Sequence, residues 1–426
     1  MQYLKWDKTT LRRMNRGTGA EIDKDLFKKV NRILWDVKER GDLAIRRFTR
    51  EFDGIDIPLK KLRVSEGEIN QAFEKINFQF VPLLKTITEN VRRYYEKDIR
   101  RSFKISGKDG ILLGKNYTPL RRIGIYIPGG QAPLVSTVYM TVIPAKIAGV
   151  KEITIATPPN RETGEIDPHI LAVANLLGVK EIYRVGGAQA IAAMAFGTRT
   201  IPKVDKIAGP GNPYVTEAKR QVFGYVDIDM IAGPSEVCII ADHSADPNFI
   251  TCDLLAQTEH FGGIGILVTH SKKIIEIMKK RVESGFIIHV DNLEQACEAV
   301  NEIAPEHVEI MTQNPQRLLK HVQNAGSIFL GSYSPAVIGD YIAGPSHVLP
   351  TGGTAHYFSA LSAADFIKSA QVISYTKEAL AKVRESVKKL TDMEGLVLHR
   401  ISLEARFVDG EAHKEKEEEI DEIKKV

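Results

Sequence analysis

The 426-residue chain carries 58 Lys plus Arg against 54 Asp plus Glu, a net charge of +4, too small a surplus to point to a nucleic acid partner. No run approaches the roughly 20 apolar residues of a membrane span, and three cysteines (Cys238, Cys252, Cys297) without C-x-x-C spacing exclude a disulfide framework or a thiolate zinc site. The charged N-terminus lacks the apolar core of a signal peptide, so the expectation is a soluble cytoplasmic protein of two or three domains.

In chain order, the first hundred residues are expected to be helical. "DLFKKVNRILWDVKERG" puts Leu26, Phe27, Val30, Ile33, Leu34 and Val37 on one face and stops at Gly41. Short apolar runs then alternate with helical patterns: "RIGIYIPGG", "EITIATPP", "EIYRVGGAQA", "VDKIAGPGNPYVTEAKRQV". A second series follows, "EVCIIAD", "IGILVTHS", "FIIHV", "VEIMTQN" and "SIFLGS". This alternation predicts an α/β fold with mostly parallel sheets. Beyond residue 360, "AADFIKSAQVISY" and "KEALAKVRESVKKL" are expected to be helical, and "EAHKEKEEEIDEIKKV" is a charge run read as a solvated helix or frayed tail.

Five stretches have the composition of sites. Gly186-Gly187 and Gly209-Pro210-Gly211-Asn212 each follow a strand and open a helix, which suits an anion but equally a plain tight turn. In "LLAQTEHFGG", Gln257 and His260 fall three apart on one helix face, a spacing open to a metal, a ligand or a cap. In "NEIAPEHVEIMT", Glu306 can tune His307 or activate water, or both can be a polar loop. Helix ends and the starts of following strands share one rim of a parallel sheet, so these two pairs can share a cleft. Ligands of open α/β sheets favour the opposite, carboxyl rim; the conflict eases if the pairs floor a cleft facing a second sheet. "GDYIAGPSHVLPTGG" adds Asp340 and His347 in a loop rich in glycine and proline.

Together, "VGGAQAIAA", "AGPGN", "AGPSEV", "LLAQTEH", "PEH", "GDY", "GPSHVLPT" and "ADF" occur in the order found in the L-histidinol dehydrogenase family, which the chain resembles from "RIGIYIPGG" to "VLHR". The short segment between "ILVTHS" and "FIIHV" and the tail after residue 410 depart from the family pattern without touching a motif. The resemblance implies oxidation of L-histidinol to L-histidine through the aldehyde with two NAD, one zinc per site, and a homodimer with shared sites. It implies Gln257, His260, Asp340 and His399 as zinc ligands, His399 from the other subunit. Glu306 and His307 would be catalytic; Ser235, His347 and Glu394 would touch substrate beside His307 and the ligands; Tyr126, Gln189 and Asn212 would touch the dinucleotide. The architecture implied is two incomplete Rossmann-like domains, 23–125 with 235–361 and 126–234, plus terminal segments 1–22 and 362–426. The residues alone leave open a dehydrogenase of another amino alcohol, a zinc hydrolase, and a zinc-stabilised binding protein. Cys252, five residues before Gln257, has no nearby cation to activate it, so the cysteines are read as packing residues.

Overall fold

The computed structural model describes residues 1–7, 9–14, 23–77, 79–107, 109–129, 133–259 and 262–407. The strands, in chain order, are β1 (Gln2–Lys5), β2 (Phe103–Ser106), β3 (Ile111–Pro119), β4 (Arg122–Tyr126), β5 (Glu152–Thr157), β6 (Glu181–Arg184) and β7 (Lys206–Ala208). They continue with β8 (Asp227–Ile228), β9 (Glu236–Ala241), β10 (Ile264–Thr269), β11 (Phe286–His289), β12 (His307–Met311), β13 (Ser327–Leu330) and β14 (Ile367–Tyr375). The chain divides into two compact units, Met1–Ile99 with Pro119–Ile367, and Arg100–Thr118 with Lys368–Val426.

The first unit holds two parallel sheets with strand orders β6-β5-β4-β7-β8 and β1-β11-β10-β9-β12-β13. In each, the first strand of the βα run lies inside the sheet and later strands are laid to either side, the doubly wound α/β class expected. The central strands are covered on both faces, and every residue of β9 is buried. Helices start where the sequence supplies a cap. Asp23, Asn212, Asp246, Ser271 and Asn292 accept backbone N–H groups of the first turn, each cap contributing about 1 kcal/mol. Proline opens the helices Pro168–Leu176, Pro213–Val222 and Pro247–Gln257, where its missing N–H costs nothing. No helix among the described residues is long and apolar enough to cross a membrane.

The second unit pairs β2 with β3 antiparallel in the order β14-β3-β2. It also holds two helices, Lys377–Met393 and Val397–Glu404. Here the expectation fails: the helix read in "AADFIKSAQVISY" is a 3-10 turn followed by strand β14, because pairing with β3 overrides local periodicity. At the N-terminus, Gln2–Lys5 is a strand that extends the six-stranded sheet beside β11. The helices Lys24–Arg40 and Asp42–Asp53 were expected to belong with the six-stranded part. Their buried faces instead share a core with Val185, Ile191 and Val215 of the five-stranded part. The charged tail lies outside the described residues.

Candidate active site

At the amino edge of the six-stranded sheet, the helix Leu293–Ile303 ends on Ala304, the one described non-glycine residue with positive φ, at 46°. That left-handed residue and Pro305 turn the chain into β12, which starts at His307. Glu306 accepts the backbone N–H of Glu236, first residue of the adjacent β9, at 2.8 Å. The His307 Nδ1 lies 3.1 Å from the Glu236 carbonyl oxygen. A carbonyl only accepts, so Nδ1 carries the hydrogen and Nε2 is the nitrogen free to exchange a proton. Nε2 faces Asp340 Oδ1 at 3.5 Å, and Glu306 Oε2 lies 3.6 Å from Nδ1.

Both members of the pair are buried. Burial lifts the Glu306 pKa to about 7 against the pull of His307. For His307, burial works to strip the proton; the Glu306 and Asp340 carboxylates outweigh it and raise the pKa to about 9. His347 approaches the Asp340 carbonyl through Nδ1 at 2.9 Å, and its Nε2 lies 3.4 Å from Thr137 Oγ1. Thr137 sits in the first turn of the helix Val135–Ile147, which follows β4. The helix Ala336–Tyr341, which carries Asp340, is tied down at its start: Ala336 N–H donates to Glu309 Oε1 at 2.7 Å. Burial raises the Glu309 carboxyl, and the nearby Asp253 carboxyl raises it further; burial raises Asp253 as well.

Asp253, half-buried, precedes Gln257 by one helical turn on Pro247–Gln257, so its charge interaction with Glu309 lies between the elements that carry Gln257 and Asp340. Gln257 is buried, and its amide nitrogen has no hydrogen-bond partner. Ser235 lies on the same edge, its carbonyl accepting Ile264 N–H at 3.0 Å. His260 lies outside the described residues. Glu394 and His399 are exposed in the second unit, either side of the left-handed Gly395. Among the described residues no three His, Cys, Asp or Glu side chains form a metal cage; the proposed set itself includes a glutamine, the undescribed His260 and a residue of the second unit. Sequence reading missed Glu236, a buried acid whose carboxylate accepts Gly352 N–H at 3.2 Å across more than a hundred residues. Its signal was an acid opening an otherwise apolar strand. Cys252 is exposed, and Cys238 and Cys297 are buried; burial pushes the Cys297 thiol up to about 11.

At the carboxyl edge of the five-stranded sheet, a cavity of about 320 Å³ is lined by Tyr126, Gln189 and Asn212, at the switch between β4 and β7. The Tyr126 hydroxyl accepts Gly187 N–H at 3.0 Å, and burial raises its pKa to about 12. Gln189 is buried with its amide oxygen unpartnered. Gly209 has a φ of 122°, and a Cβ there would stand 2.1 Å from the Tyr126 carbonyl oxygen, so only glycine lets the Asn212 loop approach. Two buried side chains clamp that glycine. Asp229 accepts its N–H at 2.7 Å, Lys219 donates to its carbonyl at 3.0 Å, and the two are paired with each other.

The family model described as histidinol dehydrogenase matches residues 17–407. The chain is 46% identical over 402 residues to a histidinol dehydrogenase of Clostridium acetobutylicum, covering 90% of this chain and 93% of that protein. It is 48% identical over 398 residues to one from Listeria monocytogenes, covering 89% and 92%. The crystal structure of histidinol dehydrogenase from Elizabethkingia anophelis superposes with a TM-score of 0.89 at 36% identity, over 96% of this chain and 98% of that one.

Proposed function

The chain belongs to the histidinol dehydrogenase family, a place in histidine biosynthesis, and from that premise we propose how its residues oxidise L-histidinol to L-histidine with zinc and NAD. The observation that carries the reading is the pair Glu306–His307, buried together at one sheet edge with the His307 Nε2 facing Asp340.

The donor set fits zinc. Gln257 buries an amide end without a partner, and turning the amide presents its oxygen there. With His260, Asp340 and His399 of a second copy this makes a nitrogen and oxygen set suited to the metal. Bound there, zinc would supply a template for the amine and imidazole nitrogens of the substrate. The cavity fits a dinucleotide, since glycine backbone and the unpartnered Gln189 amide oxygen line one hollow. Bound there, NAD would supply the hydride acceptor.

His307 takes the hydroxyl proton of the substrate on Nε2, the hydrogen on Nδ1 being held by the Glu236 carbonyl. Were Asp340 to serve as a metal ligand, one of the carboxylates that hold a proton on His307 would be drawn away, which would lower the imidazole toward the range of a base at neutral pH. Glu306, its pKa near neutrality, takes a proton from the water that adds to the aldehyde. His307 then acts again on the hydrate. Ser235, His347 and Glu394 hold the substrate, Glu394 and His399 reaching the site from the partner of a homodimer. Separate assays with histidinol and with the aldehyde test the division: Glu306→Gln should chiefly slow the aldehyde half, and equal slowing of both halves would refute it.

A further inference from the structure

The cavity at the carboxyl edge of the five-stranded sheet also presents two charged side chains to which nothing above gives a task. Asp53 ends the helix Asp42–Asp53, and Arg161 lies in the loop after β5; both line the cavity beside Tyr126 and Pro158. One carboxylate oxygen of Asp53 is buried without a hydrogen-bond partner. Arg161 is exposed, acts on Asp53 as a counter-charge, and reaches the Phe52 carbonyl at 3.5 Å.

Position gives the pair meaning. β5 is the second strand of the run β4, β5, β6, and in nucleotide-binding sheets the residue beyond that strand reads the adenosine ribose. An acid there accepts the 2′-hydroxyl, whereas an arginine accommodates a 2′-phosphate. Here the loop of the strand itself supplies the arginine, and the acid arrives from a helix that precedes the sheet. The two signals oppose each other. The acid is the more deeply placed, and the exposed arginine acts on it through charge alone, so a 2′-phosphate would meet a carboxylate that opposes what the guanidinium offers.

We propose that Asp53 is the specificity-determining residue of this cavity: it accepts the ribose 2′-hydroxyl, offsets the charge of Arg161, and thereby selects NAD over NADP. The proposal rests on reading the cavity as the dinucleotide site. Asp53→Ser removes the acidic acceptor and leaves the charge of Arg161 unopposed, so it should both weaken NAD and admit NADP. Adding Arg161→Gln should remove the gain for NADP.

The test is equilibrium binding of NAD and of NADP, each alone, to the purified protein by calorimetry, with no turnover required. Wild type should hold NAD about tenfold or more tighter than NADP. Asp53→Ser should bring the ratio to one or invert it, through tighter NADP as well as weaker NAD, and Asp53→Ser with Arg161→Gln should lose the tighter NADP binding. Asp53→Asn, which keeps the shape of the side chain, should shift the ratio in the same direction if the serine variant folds poorly. An unchanged ratio in Asp53→Ser and Asp53→Asn overturns the proposal. If in addition Gln189→Ala and Asn212→Ala leave NAD binding intact, or wild type binds neither dinucleotide, the reading of the cavity falls with it. If those two variants weaken both dinucleotides while the Asp53 variants keep the ratio, the specificity proposal fails alone.

Discussion

Removing either member of the Lys219–Asp229 pair should be among the costliest single changes in the five-stranded part. The side chains are 3% and 0% exposed, and both hold Gly209, so each single replacement strands a charge where water cannot reach it. Breaking a buried pair this way costs about 3–5 kcal/mol. Lys219→Met and Asp229→Leu, if independent, would together cost about 6–10 kcal/mol. The double variant removes both charges, which is roughly neutral, but leaves the N–H and carbonyl of Gly209 and the N–H of Met230 unpaired at about 1–3 kcal/mol each. Its cost should therefore be about 3–9 kcal/mol, below that of the two singles combined. Denaturant unfolding of all four proteins, followed by a probe in the five-stranded part, measures the coupling, and calorimetry with NAD reads the displacement of the Asn212 loop. A Lys219→Met variant losing less than about 1 kcal/mol, or strictly additive costs, would refute the argument.

Zinc retention should fall in Gln257→Leu and in Asp340→Asn, read by elemental analysis after dialysis; full occupancy in both would contradict the ligand assignment. His307→Asn should slow alcohol and aldehyde oxidation alike, because a base is needed at each hydride departure; an effect on one half only would contradict it. Mixing inactive Asp340→Asn and His399→Asn chains should restore up to about a quarter of wild-type activity, since random pairing makes roughly half the chains heterodimers with one sound site in two. An inactive mixture with confirmed heterodimers would place each site within one chain.

How far these features could be read from the sequence followed the range of the interactions that make them. The βα runs were legible because central parallel strands are apolar throughout and their helices carry local caps, as in β9 and the Asp246 cap of Pro247–Gln257. Strand β14 was not, because "IKSAQVISY" is mostly exposed and only its pairing with β3 makes it extended. Strand β1 was missed for the same reason: its four residues pair with β11, far along the chain. In the site, Glu306 and His307 stood out as a polar pair at a strand start. Glu236 and Asp53 stayed hidden, since an acid in an apolar strand or at a helix end acquires meaning only from Gly352, Arg161 and the cavity that folding brings to it. His399 carried no local signal at all, and its assignment rests on family likeness.

The most direct test supplies histidinol and NAD to the purified, zinc-loaded protein and follows NADH together with the product. Histidine should form with two NADH for each histidinol consumed, and His307→Asn should lose this turnover. No NADH from histidinol, or hydrolysis of a substrate without any change in the dinucleotide, would contradict it.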